Sequence, residues 1–233
     1  MEAIVLAGGL GTRLQQVLND VPKSMALINQ KPFLEYLLDY LITQQVTRVV
    51  LSVGYKRDCI MDHFRNHYRS LEIDYAIEEE PLGTGGGIRL ALWKVEGKRT
   101  FVMNGDSLFR FDFQKLLAQH LKCKASVTLA LRKLESTGRY GRVTLNKSKR
   151  IIGFEEKNEK AGPGLINGGV YMLEKEFLME PLFRGKFSIE KDCFEEFYMT
   201  SRFFGFPTDG YFLDIGIPAD YKKAQNEFAG FKD

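Results

Sequence analysis

Along the first half of the chain, short apolar runs alternate with stretches whose apolar residues fall at helical spacing. Residues 4–7 form an apolar run too short for a helix, and 48–53 is β-branched, so both predict strands. Between them Phe33, Leu34, Leu37, Leu38, Leu41 and Ile42 recur every three or four positions, which predicts a helix over 32–45 with one face against a core. The same reading gives a helix over 58–68, a strand over 72–77, a helix over 84–95 after a glycine-rich turn, and a strand over 100–104. Strands separated by helices of this length imply right-handed crossovers, and therefore an α/β fold with a mostly parallel central sheet flanked by helices.

Beyond about residue 125 the pattern shortens. Strand candidates at 126–132, 142–145, 151–155 and 168–173 follow one another through close turns, predicting a small antiparallel extension beside the sheet, along one side of a cleft. Helices over 189–199 and 219–228 flank a last strand pair around 203–206 and 211–214. No linker, low-complexity segment or internal repeat interrupts the chain, and few residues follow the last helix, so one domain over 1–233 is expected, with no appended one.

Composition narrows the function classes. Apolar residues make up 44% and charged residues 27%, ordinary values for a globular chain able to bury a substantial core. The formal charge of +3 arises from 33 basic and 30 acidic residues, without the basic face expected of a nucleic-acid binder. The densest basic cluster, Lys147-Ser148-Lys149-Arg150, falls between two strand candidates and reads as a solvated hairpin turn. No apolar run reaches the roughly 18 residues of a transmembrane helix, so no membrane partner is expected. Met1-Glu2-Ala3 leads straight into a strand, without the basic and long apolar regions of a signal peptide. Cys59, Cys123 and Cys193 are far apart and odd in number, which suits buried or idle thiols in a reducing cytoplasm. His63 and His67 stand at a zinc-compatible spacing, but Asp62, Arg65 and Arg69 mark a polar outer face, and His120 is alone.

The candidate chemistry begins where the first strand runs into Gly8-Gly9-Leu10-Gly11-Thr12-Arg13. A strand followed by glycines exposes backbone N–H groups to a phosphate and lets the ligand approach the main chain. The Walker pattern fails because no Gly-Lys-Ser/Thr follows, and the dinucleotide pattern fails because Leu14 stands where its third glycine belongs. On these residues alone a plain strand-to-helix turn stays open. Taken singly, Arg13 is an ordinary surface arginine, Lys23 after Pro22 a solvated loop residue, and Asp106 and Asp214 turn caps.

Read together, the motifs point further. Leu6-Ala7-Gly8-Gly9-Leu10-Gly11-Thr12-Arg13-Leu14, followed by Pro22-Lys23, resembles the opening signature of the sugar nucleotidyltransferases, the nucleoside-diphosphate-sugar pyrophosphorylases. The resemblance recurs in the family's order at Pro81-Leu82-Gly83-Thr84-Gly85-Gly86, Asn104-Gly105-Asp106, Phe154-Glu155-Glu156-Lys157, Asn167-Gly168-Gly169-Val170-Tyr171 and Asp214-Ile215-Gly216-Ile217-Pro218. It implies a Rossmann-like, GT-A-like nucleotidyltransferase fold with a nucleotide-binding half over 1–124 and a sugar-phosphate-binding half over 125–233. The implied reaction is attack by a sugar 1-phosphate oxygen on the α-phosphorus of a nucleoside triphosphate, expelling pyrophosphate with the help of Mg²⁺. Such a transfer needs alignment and cancellation of charge more than a nucleophilic side chain.

By the same resemblance, Arg13 neutralises the leaving pyrophosphate, Lys23 contacts the phosphates near the reaction centre, and Asp106 and Asp214, both at predicted strand ends, bind Mg²⁺. Leu6, Ala7, Gly8, Gly9, Gly11 and Thr12, with Asn104 and Gly105, make the nucleotide site, where Glu79, Pro81, Leu82, Gly83 and Thr84 support the nucleoside and read its base. Tyr140, Gly141, Glu156, Lys157, Asn167 and Gly168 hold the sugar and its phosphate, although the charged stretch around Lys157 also fits an exposed loop.

Within the family, residues 81–86, 165–171 and 211–221 are most similar to the short bacterial D-glycero-α-D-manno-heptose 1-phosphate guanylyltransferases. That implies GTP and a manno-heptose 1-phosphate as partners, and GDP-heptose made for surface polysaccharides. The longer mannose 1-phosphate guanylyltransferases carry a C-terminal β-helix that has no counterpart here. Mannose 1-phosphate with GTP, glucose 1-phosphate with dTTP or UTP, and N-acetylmuramate 1-phosphate with UTP stay open, as does a catalytically silent sugar-nucleotide-binding subunit. Retention of Arg13, Lys23, Asp106, Lys157 and Asp214 together argues for the active enzyme. Members often form homodimers, and no surface patch visible in the sequence decides this.

Overall fold

The structure, a computed structural model, describes residues 1–9, 21–138, 140–155 and 162–230. Its first half runs β1 (Glu2–Leu6), the short hairpin β2 (Leu27–Ile28) and β3 (Lys31–Pro32), α1 (Phe33–Thr43), β4 (Arg48–Val53), α2 (Arg57–Phe64), β5 (His67–Tyr68), β6 (Leu71–Ile77), α3 (Gly83–Leu92) and β7 (Arg99–Asn104). There follow β8 (Ser107–Phe109), α4 (Phe113–Cys123), β9 (Val127–Leu134), β10 (Arg142–Leu145), β11 (Ile151–Glu155), β12 (Gly164–Glu174) and α5 (Lys175–Met179). A π-helix (Ile189–Phe194) continued by α6 (Glu195–Phe197), then β13 (Phe203–Thr208), β14 (Phe212–Asp214) and α7 (Pro218–Glu227) complete the chain.

The main sheet runs β11-β10-β12-β7-β1-β4-β6-β5, and β9 and β13 join it through β12. Its centre, β7-β1-β4-β6, is parallel, as the strand–helix alternation predicts. The chain winds outward from β1 through β4 to β6 and then returns to place β7 on the other side of β1. That reversal opens a crevice at the carboxyl end of β1, the usual ligand site of open α/β sheets.

Side chains alternate across the strands and so separate two apolar layers. Ala3, Val5, Val49 and Leu51 face a layer that includes Phe33, Leu37 and Phe113 from α1 and α4. Ile4, Val50 and Val102 face the layer built on α3, the π-helix and β9. No helix among the described residues is long and apolar enough to cross a membrane.

Four details differ from the sequence reading. The antiparallel extension is continuous with the sheet, because β12 pairs directly with β7 while also pairing with β9 and β10. The last two strands do not pair with each other: β13 lies parallel to β9, and β14 forms a separate ribbon with β8. The helix expected to reach residue 68 stops at Phe64, because Arg65 takes a positive φ of 51° that ends the hydrogen-bonding pattern and lets His67–Tyr68 pair with β6. Helix α4 was not expected, although Asp112 caps it by accepting the Lys115 N–H, and Phe113, Leu116 and His120 bury one face.

Candidate active site

Parallel pairing carries the central strands to a common edge. Leu6 pairs with Asn104 of β7 and with Ser52 of β4, and Ser52 pairs with Ala76 of β6. Just past the strands, the Gly105 N–H donates to the Leu6 carbonyl at 2.9 Å, the Ala7 N–H to the Ser52 carbonyl at 2.8 Å, and the Glu78 N–H to the Val53 carbonyl at 2.8 Å. The segments leaving these strands enclose a cleft of about 790 Å³, a volume within the range of small-molecule sites.

Most of the nucleotide-site residues expected from sequence line this cleft. Leu6, Ala7, Gly8 and Gly9 come from the end of β1, and Asn104, Gly105 and Asp106 from the end of β7. Glu79, Pro81, Gly83 and Thr84 come from the loop into α3. Leu82 stands behind that wall, its N–H donating to Glu78 Oε2 at 3.0 Å and its carbonyl accepting from the Phe187 N–H at 3.0 Å. Gly83 turns the loop at φ +72°, where a Cβ would stand 2.5 Å from the Phe187 carbonyl oxygen, so this position demands glycine twice over. The Thr84 hydroxyl accepts from the Ile189 N–H at 3.0 Å, tying the loop to the π-helix.

The charged centre lies where three segments meet. Pro22 leads into a 3₁₀ turn, Lys23–Met25, closed by the Met25 N–H donating to the Pro22 carbonyl at 2.8 Å. From it Lys23 Nζ reaches Asp106 Oδ2 at 2.6 Å and Asp214 Oδ1 at 3.7 Å. The two aspartates are distant in sequence, but the β8–β14 ribbon pairs Asp214 with Ser107, and the Ile215 N–H donates to the Asp106 carbonyl at 3.0 Å. Asp214 is further held by the Gly216 N–H at 2.6 Å, and a Cβ on Gly216 would stand 2.8 Å from the same carboxylate oxygen.

One ammonium thus lies within ion-pair range of both carboxylates. Two carboxylates suit Mg²⁺, which keeps several ligand positions for water and substrate phosphates. No group of three or more His, Cys, Asp or Glu forms a closed metal cage among the described residues.

A second cavity of about 530 Å³ has Asp214 in its wall and is lined by Tyr140 and Phe212, whose rings meet edge to face with centroids 6.0 Å apart. Asp220 and Lys223 of α7 complete its polar wall. Gly141 stands just ahead of β10, where a Cβ would meet the Glu155 carbonyl oxygen at 2.9 Å. Asn167, where the β12 register shifts, accepts the Gly169 N–H on Oδ1 at 3.0 Å and donates from Nδ2 to Glu190 Oε1 at 3.1 Å. Gly168 packs directly on the Phe109 ring. Gly11, Thr12, Arg13, Glu156 and Lys157, also expected at the site, lie outside the described residues.

Among the cleft residues that the sequence did not single out are Tyr55, Arg57 and Glu78. Glu78 accepts the Ser52 hydroxyl on Oε1 at 2.9 Å as well as the Leu82 N–H on Oε2. Arg57 Nη1 lies 3.0 Å from Glu79 Oε1. All three follow the ends of β4 or β6, at the carboxyl edge where open α/β sheets place ligands.

Comparison with known proteins agrees with this geometry. A D-glycero-alpha-D-manno-heptose 1-phosphate guanylyltransferase of Aneurinibacillus thermoaerophilus is 45% identical over 227 residues, 97% of this chain and 98% of that protein. Its namesake in Campylobacter jejuni is 42% identical over 221 residues, 95% of this chain and 97% of that one. The crystal structure of HddC from Yersinia pseudotuberculosis complexed with GMP-PN aligns with a TM-score of 0.87 at 39% identity, covering 97% of this chain and 99% of that one. The nucleotidyl transferase family model matches residues 2–230. That match takes in every wall of the cleft, and the chain belongs to the nucleotidyl transferase family.

Proposed function

We propose that this protein transfers GMP from GTP to D-glycero-α-D-manno-heptose 1-phosphate, giving GDP-heptose and pyrophosphate for surface polysaccharide biosynthesis. The observation that carries the reading is the convergence of Lys23, Asp106 and Asp214 beside a nucleotide-sized cleft. Guanylyltransferases of 45% and 42% identity over nearly the full chain support the choice of substrates.

In this reading one domain takes the nucleotide on its 1–124 half and the sugar phosphate on its 125–233 half. Backbone N–H groups after β1, from Gly8 through Gly11 and Thr12, hold the triphosphate, with Leu6, Ala7, Asn104 and Gly105 forming the floor. Arg13 offers a planar fork to the departing pyrophosphate, and Lys23 holds positive charge near the α-phosphate. Asp106 and Asp214 would hold Mg²⁺, which when bound would supply positive charge to offset that of the phosphates. Lys157 meets the phosphate of the sugar, Glu156 and Asn167 its hydroxyls, and Tyr140, Gly141 and Gly168 shape the space around it. These groups align two anions for in-line attack and lower the cost of bringing them together.

Glu78 supports guanine as the base. Its carboxylate is an acceptor held in the cleft wall, matching the adjacent N1–H and 2-amino donors of guanine. Adenine turns a ring-nitrogen acceptor to the same place, and uracil and thymine offer a single ring N–H. Pyrophosphate release from each nucleoside triphosphate against a panel of sugar 1-phosphates tests the proposal. Release is expected with GTP and the heptose phosphate. Release with dTTP and glucose 1-phosphate alone would overturn the substrates, and no release with any pair would overturn the activity.

A further inference from the structure

Glu78 accounts for only one edge of a purine, and Arg57, the first residue of α2, lines the same cleft. We propose that Arg57 is a specificity-determining residue whose guanidinium reads the O6 and N7 acceptors of guanine, while Glu78 accepts from N1–H and the 2-amino group. This rests on the proposed use of GTP and assigns the contact that would select guanine on its second edge.

The placement comes from the backbone. Beyond β4 the chain turns through Gly54 and Tyr55 to Lys56, which takes a left-handed φ of 52°, and the Arg57 N–H donates to the Gly54 carbonyl at 3.2 Å. This turn fixes the first residue of α2 on the cleft wall, beside the loop that carries Glu78 and Glu79.

The guanidinium itself is available. It is one-third exposed, with a side-chain value of 34%, and its ion partner Glu79 is 78% exposed. Exposed pairs of this kind are weak and exchange readily for a ligand. A guanidinium carries five N–H donors, so the contact from Nη1 to Glu79 leaves others for a base. Arginine in bidentate contact with O6 and N7 is also the commonest specific contact to guanine in the major groove of DNA. Adenine would turn its 6-amino donor toward the guanidinium, and pyrimidines have no N7 to accept. A carboxylate and a guanidinium on one cleft therefore match guanine's two donors and two acceptors, whereas uracil and thymine offer one of each.

The test is direct binding of GTP, 7-deaza-GTP (in which a C–H replaces N7) and ITP (which lacks the 2-amino group), measured by calorimetry on the full chain. The wild-type protein should bind 7-deaza-GTP about tenfold more weakly than GTP. Arg57→Leu, which loses the O6 contact as well as the N7 one, should bind GTP more weakly than the wild type binds 7-deaza-GTP, with no further loss on 7-deaza substitution, while its preference for GTP over ITP persists. Equal wild-type affinity for GTP and 7-deaza-GTP would overturn the proposal, and this arm needs no variant to fold. An undiminished N7 preference in Arg57→Leu would overturn it as well. Because binding is read without turnover, an N7 preference in a protein that releases no pyrophosphate would sink the proposed reaction and leave this contact standing. Binding of another nucleoside triphosphate in place of GTP would sink both.

Discussion

Lys23 Nζ lies 2.6 Å from Asp106 Oδ2 across a separation of 83 residues, with the lysine side chain only 10% exposed. The pair places a positive and a negative charge at the carboxyl edge of the central sheet, and Asp214 adds a second carboxylate 3.7 Å from the same ammonium. In the account above this is where phosphate and divalent cation meet. Asp106→Asn keeps the side-chain volume and deletes a ligand charge. It should lower kcat by about 100-fold or more, with the melting temperature little changed. Near-normal turnover in this variant would contradict the metal assignment.

The same ammonium has a consequence for metal removal. Lys23 already offsets the two carboxylates, so the fold does not need a cation to keep them together. Chelation should abolish pyrophosphate release and leave the thermal transition where it was. A large drop in melting temperature on adding chelator would point instead to a structural metal.

Glu78→Gln replaces an acceptor-only carboxylate by an amide that also donates. The Ser52 and Leu82 contacts can be kept by its carbonyl oxygen only in part. We expect KM for GTP to rise about 10- to 100-fold and the discrimination against other nucleoside triphosphates to shrink, with a smaller effect on kcat. Steady-state kinetics on each triphosphate reads both changes.

At Gly83 the positive φ and the nearby Phe187 carbonyl both resist a side chain. Gly83→Ala should cost about 1–3 kcal/mol of stability and disturb the Gly85 N–H bond to Phe187, which is 3.0 Å long. Denaturant unfolding measures the first effect, and a rise in KM for the nucleotide reports the second.

His120 sets a pH dependence outside the catalytic cluster. Its Nδ1 lies 2.9 Å from the Thr128 hydroxyl and its Nε2 3.1 Å from Glu174 Oε1, in a site where the imidazole is almost fully buried. Burial holds its pKa below the ordinary value, outweighing the opposing pull of Glu174, and Arg99 beside Glu174 adds to the lowering. The unfolded chain takes up this proton near pH 6.5, about the free imidazole value, and the folded chain only at lower pH. Between those two points the unfolded state binds more protons, so stability rises with pH and falls as the solution is acidified. Unfolding free energy followed from pH 7 to pH 5 should decline, and His120→Gln should remove that part of the slope.

Much of this was legible in the sequence where one physical signal dominated. The β-branched run Arg48–Val53 and the short strands Arg142–Leu145 and Ile151–Glu155 fall where their patterns put them. Asp106 and Asp214 stood out because each falls in a motif that resembles the family's, but only the β8–β14 pairing brings them together, and no local pattern encodes a pairing between segments so far apart. The central position of β12 was hidden for the same reason: its apolar run fits an edge or a centre equally well. Arg57 and Glu78 were passed over because charged residues after a strand look like solvated loop until neighbouring strands make that loop a wall. Helix α4 was missed although its cap and apolar spacing are present, so that signal was available and unused.

The central claim is that a nucleotidyl group, carrying the α-phosphate of GTP, passes to the heptose phosphate. It is tested most directly by incubating the protein with Mg²⁺, heptose 1-phosphate and GTP labelled either on the α- or on the γ-phosphate. The account predicts α-label in the GDP-sugar and γ-label in pyrophosphate, in equal amounts. Label from the γ-phosphate in inorganic phosphate or in the sugar product, with none from the α-phosphate, would contradict it.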